Sequence, residues 1–348
     1  MAKRKKVIDL RSDTVTRPTP KMLQVMMKAK VGDDVLGDDP TVKKLERLSA
    51  KMLGKPDALF VPSGTMGNEI ALKILTREGE EVILDDHSHI YLYELSGISL
   101  ISRAFPRALH FPDGIPNPEE IRKVIRKNGM FSQRTSVICM ENTHNFYGGK
   151  VVPLESFREI RNLADWYEIY VHLDGARIFN ASVASGIPAS EYARYADTVM
   201  FCLSKGLCCP VGSVLCGSVE MIKRARKIRR LLGGGMRQAG YLAAAGIFAL
   251  KTLIPRLKKD HENAQILANL LTSLPYISLA QSSVDTNILY FSLNHPKMNA
   301  FQFTHKLKRS GILALPISET VFRMVTHKNV SREDIYTVAE ACQSLLSS

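Results

Sequence analysis

Short apolar runs alternate with longer stretches of helical periodicity through about the first two-thirds of the chain. The apolar runs predict strands at residues 58–61, 81–84, 99–103, 136–140, 170–173, 198–203 and 213–216. Helical patterns fall between them at residues 65–76, 118–127 and 154–167, and a helical stripe precedes the first strand at Val42, Leu45, Leu48 and Met52. This alternation predicts an α/β fold with a mostly parallel, seven-stranded sheet and helices on both faces.

The pattern changes after about residue 240. Helices are predicted at residues 238–253, 258–274, 300–310 and 332–346, and strands at 277–279, 288–292 and 322–325. We therefore expect a large domain at residues 1–240, with an N-terminal arm at 1–30, and a small C-terminal α+β domain at 241–348. No low-complexity linker or internal repeat separates the two parts, so we expect them to pack together.

The chain is basic, with 47 lysines and arginines against 34 acidic residues and a formal net charge of +13. This excess raises the possibility of a nucleic-acid partner. The positive charge is mostly dispersed, however, and is dense only at residues 3–6 and 223–230. The second run has apolar residues at helical spacing, so it favours an amphipathic helix with a solvated basic face over a nucleic-acid site.

Cysteine usage and hydropathy indicate a cytoplasmic protein. The six cysteines include no CxxC pair, and Cys208 and Cys209 are adjacent, which suits neither a zinc site nor an ordinary disulfide. We expect free thiols in a reducing compartment. The N-terminal residues lack the apolar segment of a signal peptide, and no run approaches the roughly 18 apolar residues of a membrane span.

Two residues at predicted strand ends suggest pyridoxal 5′-phosphate as cofactor. Asp174 follows the strand at 170–173, and Lys205 follows the strand at 198–203. A lysine can hold this cofactor as a Schiff base, and an acid can keep the pyridine nitrogen protonated so that the ring accepts electrons. The alternative for these two residues alone is a surface lysine and a capping aspartate.

A glycine-rich turn offers a site for the phosphate group. Gly64 and Thr65 lie in the sequence PSGTMGN, between a predicted strand and a predicted helix. Backbone N–H groups at a helix N-terminus favour an anion, although a glycine turn with a threonine N-cap explains the same pattern. Ser204 could add a hydroxyl, and Arg237, which follows three glycines, could add a guanidinium.

Histidines and arginines complete the set of candidate residues. His89 lies in the sequence DDHSH, where a metal site is one interpretation and a ring stacked on the cofactor is the preferred one. The polar sequence ENTHN at 141–145 is expected to line the same crevice. Arg177 follows Asp174 by three residues, and Arg323 interrupts an apolar strand. A guanidinium in such a position needs a substrate carboxylate or an internal salt bridge.

Taken together, these stretches resemble the low-specificity L-threonine aldolases, a family of fold-type I pyridoxal-phosphate enzymes. The resemblance runs from Ile8 to Asp334 and rests on the sequences IDLRSDTVT, VGDDV, PSGTMGN, ENTHN, HLDGARIFNAS, CLSKG, GGGMRQAG and VTHKNVSRED. Each sequence alone is modestly specific. Their number and order make the match specific.

The resemblance implies a role for each candidate residue. Lys205 would bind the cofactor covalently, Asp174 would pair with its ring nitrogen and His89 would stack on its ring. The phosphate would be bound by Gly64 and Thr65, and the substrate carboxylate by Ser12, Arg177 and Arg323, with Arg177 also contacting the ring oxygen. The family implies a homotetramer with sites at subunit interfaces, across which Arg237 could act, and retro-aldol cleavage of threonine with His89 taking the hydroxyl proton.

Two positions depart from the family pattern. Leu36 replaces a tyrosine, and Phe131 stands where many members have a second histidine near the substrate side chain. Both departures leave the preference between threonine and allo-threonine open. Another pyridoxal-phosphate reaction, namely racemisation, β-elimination or transamination, is the alternative function. A basic binding protein on an inactive scaffold is a third interpretation, which the intact Lys205 and Asp174 disfavour.

Overall fold

A mixed seven-stranded sheet forms the centre of the larger part of the molecule. The computed structural model describes residues 6–127 and 129–347, so residues 3–5 of the basic N-terminal run lie outside the described residues. The strands are β2 (Asp57–Val61), β3 (Glu81–Asp85), β4 (Phe105–Leu109), β5 (Thr135–Glu141), β6 (Tyr170–Asp174), β7 (Thr198–Cys202) and β8 (Ser213–Gly217). Their order is β2-β8-β7-β6-β5-β3-β4, and β8 alone among them runs antiparallel to both neighbours. The predicted mostly parallel sheet is confirmed.

Alternate residues of these strands face two separate apolar cores. Phe60, Ile138 and Phe201 contribute to one core, whereas Leu59 and Cys139 contribute to the other. Strand residues with both faces covered are apolar on both sides, which explains the continuous apolar runs in the sequence. The covering helices are α1 (Pro20–Met27), α2 (Pro40–Leu53), α3 (Gly64–Leu75), α4 (His89–Leu92), α5 (Pro118–Val124), α6 (Leu154–Tyr167), α7 (Ile178–Ser185), α8 (Ala189–Ala193), α9 (Val219–Leu231) and α10 (Gly240–Thr252).

A smaller α+β unit follows, with its own core and an antiparallel sheet. Its helices are α11 (Leu257–Thr272), α12 (Ala300–Arg309) and α13 (Arg332–Leu346). The sheet order is β12-β13-β10-β9, where the strands are β9 (Ile277–Leu279), β10 (Ile288–Leu293), β12 (Leu315–Pro316) and β13 (Val321–Val325). This architecture agrees with the expected fold class.

The N-terminal segment connects the two parts. Strand β1 (Ile8–Asp9) pairs in parallel with β11 (Ile312–Leu313) of the smaller unit. The chain then forms a 3-10 turn at Asp13–Val15 before α1, which packs against α10. Ser12 and Asp13 are thereby held between the two parts of the molecule.

The strand predicted at residues 99–103 is wrong. Residues Ile98–Ser102 form a π-helical turn, preceded by Leu95 and Ser96 in the left-handed backbone region. The strand lies further along, at Phe105–Leu109. It is the last strand of the sheet, so it is only partly buried and tolerates Pro106, which an interior strand would not.

The basic helix α9 is less solvated than its charge pattern predicts. Ile222 and Ala225 are buried, as expected for its apolar face. Arg229 is also buried, however, where it pairs with Asp34 at 2.8 Å, and Arg226 pairs with Glu46 at 2.6 Å. Part of this positive charge therefore holds the helix to the rest of the molecule. In the described residues, no helix is both long and apolar enough to span a membrane.

Candidate active site

A cavity of about 360 Å³ opens at the carboxyl ends of β6 and β7. Parallel strands commonly place ligands at this edge of the sheet. Six of the residues selected from the sequence line the cavity, namely Gly64, Thr65, His89, Asp174, Ser204 and Lys205. The structure thus brings together candidates that are as much as 141 residues apart in the chain, from Gly64 to Lys205.

Asp174 is fixed at the floor of the cavity. It is the last residue of β6 and is almost fully buried, with its side chain on the α3 face of the sheet. Its Oδ1 accepts the backbone N–H of Ala176 at 3.0 Å, and its Oδ2 accepts the side-chain amide of Asn68 at 2.9 Å. A buried carboxylate needs such donors. The arrangement leaves the acid facing the cavity in one orientation.

Lys205 approaches the same cavity from the end of β7. Its backbone carbonyl accepts a hydrogen bond from Thr16 Oγ1 at 2.8 Å, which ties this turn to the N-terminal segment. Its ammonium group has no hydrogen-bond or ion-pair partner among residues 6–127 and 129–347. A half-buried lysine without a partner beside a buried acid suits covalent attachment of a carbonyl cofactor.

The N-terminus of α3 forms the opposite end of the cavity. Ser63 caps this helix, because its Oγ accepts the N–H of Met66 at 3.2 Å, so the alternative of a Thr65 N-cap is wrong. A Cβ on Gly64 would lie 2.8 Å from Cys202 Sγ. Glycine therefore lets α3 start directly against β7. The first N–H groups of a helix lack intrahelical partners, which makes this end suitable for a phosphate.

Arg237 lies outside the cavity of its own chain. Its side chain is 65% exposed and donates a hydrogen bond to Asp33 Oδ2 at 2.9 Å. The preceding glycines have a packing role, since a Cβ on Gly234 would lie 2.2 Å from Met66 Sδ. Within one chain, Arg237 does not join the other candidate phosphate ligands.

His89 begins α4 and is oriented by two carboxylates. Its ring Nδ1 lies 3.0 Å from Glu94 Oε1, and its backbone N–H donates to Glu141 Oε2 at 2.7 Å. Burial alone would lower the pKa of His89, but the hydrogen bond with Glu94 and the charges of Asp174 and Glu141 raise it above its usual value. Glu94 was not selected from the sequence, although an acid after the apolar residues 90–93 is a signal for a buried charge.

Arg177 and Asp13 form a buried ion pair beside the site. Arg177 Nε donates to Asp13 Oδ2 at 2.8 Å, and Nη2 donates to Oδ1 at 2.7 Å. Burial acts to raise the pKa of Asp13, but the charges of Arg177, Lys205 and Arg323 hold it well below its usual range. The second amino group of Arg177 donates to Asn145 Oδ1 at 3.3 Å. This guanidinium is therefore largely neutralised within the protein.

Arg323 is buried without such an acidic partner. Its Nη2 donates to Asn145 Oδ1 at 3.0 Å, and its guanidinium carbon lies 5.8 Å from the centroid of the Tyr290 ring. Its Nε has no hydrogen-bond partner in the part of the chain that the structure describes. The alternative of an internal salt bridge is thus not realised. A carboxylate ligand would complete the hydrogen bonding of this cation.

Ser12 directly precedes Asp13, the acidic partner of Arg177. Its Oγ accepts hydrogen bonds from the N–H of Thr14 at 3.2 Å and from the hydroxyl of Thr14 at 2.9 Å. The serine therefore caps the turn that carries Asp13. Its own hydroxyl hydrogen remains available as a donor to a ligand.

One cluster outside the cavity has the composition of a metal site. Asp86 Oδ1 lies 2.5 Å from His87 Nδ1 and 3.3 Å from His110 Nδ1. The adjacent Asp85 accepts the backbone N–H of Phe111 at 3.0 Å and pairs with His144 at 2.9 Å. Hydrogen bonds and ion pairs between these groups account for their proximity.

Neither departure from the family pattern lines the cavity. Leu36 is 73% exposed on the segment before α2. Phe131 is 95% exposed in a short hairpin that precedes β5, at the amino end of the sheet and opposite the cavity. Within one chain, neither residue can contact a ligand held by Lys205.

The residues present fit pyridoxal phosphate. A helix N-terminus with glycine, an unpartnered lysine, and a buried acid on the neighbouring strand end surround one cavity of suitable volume. The buried guanidinium of Arg323 and its unpaired Nε provide for an anionic substrate group. The cofactor expected from the sequence is consistent with this donor set.

Comparison with known proteins gives the family. The family model for beta-eliminating lyases matches residues 9–294. Low-specificity L-threonine aldolase 1 of Arabidopsis thaliana is 42% identical over 346 residues, which cover 98% of this chain and 97% of the relative. The low specificity L-threonine aldolase of Escherichia coli K12 is 42% identical over 342 residues, which cover 98% and 100%.

The fold is shared with a solved structure. The threonine aldolase of Leishmania major superposes with a TM-score of 0.85 at 21% identity, covering 97% of this chain and 99% of that one. This similarity confirms the expected fold, and the sequence matches confirm the resemblance to low-specificity L-threonine aldolases. The chain belongs to the beta-eliminating lyase family.

Proposed function

We propose that the protein is a pyridoxal-phosphate-dependent lyase that cleaves L-threonine and L-allo-threonine to glycine and acetaldehyde. The observation that carries the proposal is the convergence of Lys205, Asp174 and His89 on one cavity. The 42% identity to low-specificity L-threonine aldolases, which extends over 98% of this chain, supports the same reaction. The expected cofactor agrees with the family and with the residues that line the cavity.

In the proposed mechanism, Lys205 would hold the cofactor and Asp174 would keep its ring nitrogen protonated. Asn68 and the N–H of Ala176 keep the carboxylate of Asp174 in place for this purpose. Pyridoxal phosphate, when bound, supplies an electron sink for the bond that breaks at Cα. The amides of Gly64 and Thr65, with the hydroxyl of Ser204, form the end of the cavity that would bind the phosphate.

Three residues would orient the substrate carboxylate. Arg323 supplies a guanidinium without an acidic partner, and Ser12 supplies a hydroxyl. Arg177 lies next to Arg323, because both donate to the side-chain oxygen of Asn145. Fixing the carboxylate fixes which bond at Cα is aligned for cleavage, and orientation of this kind selects the reaction. We propose that these residues align the Cα–Cβ bond.

His89 would act on the β-hydroxyl group. Its Nε2 makes no hydrogen bond to any residue that the structure describes, so this nitrogen can accept the hydroxyl proton. Loss of that proton forms the carbonyl of acetaldehyde as the Cα–Cβ bond breaks. A proton returned to Cα then gives glycine.

We further propose a homotetramer in the cytoplasm. The exposed position of Arg237, away from its own cavity, supports a role across a subunit interface. The six cysteines are free and buried, which supports a reducing compartment.

The proposal is tested by product analysis. Purified protein with added pyridoxal phosphate is given L-threonine and L-allo-threonine separately, and acetaldehyde and glycine are measured. We expect equal amounts of both products and their loss in Lys205→Ala, with Lys258→Ala, an exposed lysine on α11, as control. Cofactor binding without acetaldehyde would contradict the proposal and lead to assays of racemisation, β-elimination and transamination.

A further inference from the structure

Glu94 is the buried partner of the histidine that lines the cavity. Its side chain is fully buried, whereas that of His89 is 32% exposed. The 3.0 Å contact joins Glu94 Oε1 to His89 Nδ1. The other ring nitrogen, Nε2, is the one that can accept a proton from a ligand. A carboxylate accepts hydrogen bonds, so this contact places a hydrogen on Nδ1 and leaves the lone pair of the neutral ring on Nε2.

A chain of hydrogen bonds fixes Glu94 in turn. The amide nitrogen of Asn68 donates to Glu94 Oε1 and to Asp174 Oδ2, both at 2.9 Å. Asn68 is itself oriented by His172, whose Nε2 lies 3.1 Å from the amide oxygen of Asn68. Burial lowers the pKa of His172 to about 4, so this ring is neutral and its Nε2 carries the hydrogen that Asn68 accepts.

We propose that Glu94 is a positioning residue that holds His89 in the tautomer able to accept a proton at Nε2, and that Asn68 aligns Glu94 with Asp174. The inference rests on the proposed function, because it assigns His89 the role of base. It adds a carboxylate–histidine pair to the site, in which the acid acts only through the histidine.

The charges around His89 determine how the pair responds to pH. Glu94 faces the ring from the second residue after α4, Asp174 from the end of β6, and Glu141 from the end of β5. Lys205 lines the same cavity from the end of β7, and the ring of Tyr93 lies 5.4 Å from the ring of His89. Of these groups, Glu94 alone makes a side-chain hydrogen bond to the His89 ring among the described residues.

The change Glu94→Gln tests the pair. Glutamine keeps the size of the side chain and can still accept from Nδ1, but it removes the negative charge. The pKa of His89 falls, and we expect the acidic limb of the kcat/KM profile to move down by about one pH unit. A weaker base also lowers kcat, by about tenfold.

Glu69→Gln is the matched control. Glu69 lies on α3, is buried near Glu94 and makes no hydrogen bond through its carboxyl oxygens within the described residues. Burial, followed by the charge of Glu94, raises the pKa of Glu69 to about 8, so its carboxyl is protonated at neutral pH. Glutamine is then a close substitute, and we expect the acidic limb of this variant to match that of the wild-type protein.

A measurement without turnover follows the histidine directly. Diethyl pyrocarbonate acylates the neutral imidazole, so the rate of His89 modification against pH, located by mass spectrometry, reports its protonation in the apoprotein and holoprotein. We expect the midpoint in Glu94→Gln to lie about one unit below that of the wild-type protein. The affinity for pyridoxal phosphate, from quenching of protein fluorescence, should stay within about twofold, because Glu94 acts through His89.

Three results would overturn the proposal: an unmoved midpoint in Glu94→Gln, an equal shift in Glu69→Gln, or a large loss of cofactor affinity with an unchanged pH profile. If the wild-type protein releases no acetaldehyde, the proposed function fails instead. The modification experiment still decides in that case whether Glu94 controls the protonation of His89.

Discussion

At the scale of single residues, Arg323 is the clearest case of a side chain that folding alone does not explain. Arg177, its neighbour across Asn145, has Asp13 as a buried counter-ion. Arg323 has no acid within ion-pair distance among the described residues, and burial lowers its pKa. A buried cation of this kind costs stability. A substrate carboxylate would supply the missing charge during binding.

We predict that Arg323→Gln raises the KM for L-threonine about 100-fold. A charge-assisted hydrogen bond contributes about 1.5–3 kcal/mol, and tenfold in affinity corresponds to about 1.4 kcal/mol. The affinity for pyridoxal phosphate should change little, because Arg323 does not line the cavity with Lys205. Steady-state kinetics and fluorescence titration separate the two effects.

The control for this prediction is Arg332→Gln. Arg332 makes an exposed pair with Glu262 at 3.5 Å, so the same chemical change there should leave KM unaltered. An unchanged KM in Arg323→Gln, or an equal rise in both variants, would show that Arg323 does not bind the substrate.

Residues at strand ends could be predicted from the sequence, whereas their supporting partners could not. Lys205 and Asp174 follow apolar strands, and a parallel sheet brings such ends to one edge. Asn68 lies inside a helix, and its contacts with Asp174 and His172 cross about a hundred positions of sequence. Only tertiary packing brings these groups together. Glu94 did carry a local signal, an acid beside apolar residues, like that which identified Arg323.

At the scale of elements, the packing of α3 against the π-helical turn at Ile98–Ser102 has a consequence for stability. Glu69 is buried at this contact, and a Cβ on Gly97 would lie 1.8 Å from its Oε1. Its pKa is raised from 4.5 in the unfolded chain to about 8 in the fold. Between these values the folded protein retains a proton that the unfolded chain has lost, so the contribution of Glu69 to stability decreases as pH rises.

We predict that Glu69→Gln stabilises the protein relative to the wild type as pH rises from about 5 to about 8, by about 3.5 kcal/mol. Urea unfolding at several pH values measures the difference in the free energy of unfolding. Glu220→Gln, at an exposed position of α9, should show no such trend. A constant difference between Glu69→Gln and the wild type across this range would mean that Glu69 is ionised in the fold.

Strands were predicted correctly from the sequence where both of their faces are buried. The apolar runs at β2, β5 and β7 have both faces covered, so their patterns are continuous. The edge strand β4 contains Pro106 and Arg107 and lacks this pattern. The preceding π-helical turn has the apolar composition of a strand, so the strand was predicted there instead. Local pattern cannot separate a short buried turn from a strand when both contain isoleucine and leucine.

At the scale of the whole molecule, the alternation of strands and helices was sufficient to predict the α/β class. The reversed direction of β8 and the pairing of β1 with β11 were not predicted, because both depend on contacts between distant segments. The pairing matters for the site. It holds Ser12 and Asp13 between the larger part and the smaller unit, where Asp13 pairs with Arg177 of the first and accepts a hydrogen bond from Asn287 of the second.

The proposed assembly would make each site depend on two chains. Arg237 is exposed on its own chain, and the planar guanidinium suits the phosphate of a neighbouring site. A tetramer of four 38.8 kDa chains would have a mass of about 155 kDa, measurable by light scattering. In such a tetramer, Lys205 of one chain and Arg237 of another would serve the same cofactor.

We predict that two inactive variants restore activity when they are co-expressed. Lys205→Ala lacks the lysine and Arg237→Ala lacks the arginine, so each alone should have little activity. Random pairing of co-expressed chains makes half of the paired units hybrid, and one of the two sites in each hybrid has both residues, giving about a quarter of wild-type activity. Co-expression of Lys205→Ala with Asp174→Ala is the control: both residues serve the same chain's cavity, so no intact site can form with either chain. Failure of the first pair to recover activity, despite mixed tetramers seen by mass spectrometry, would place Arg237 outside the site.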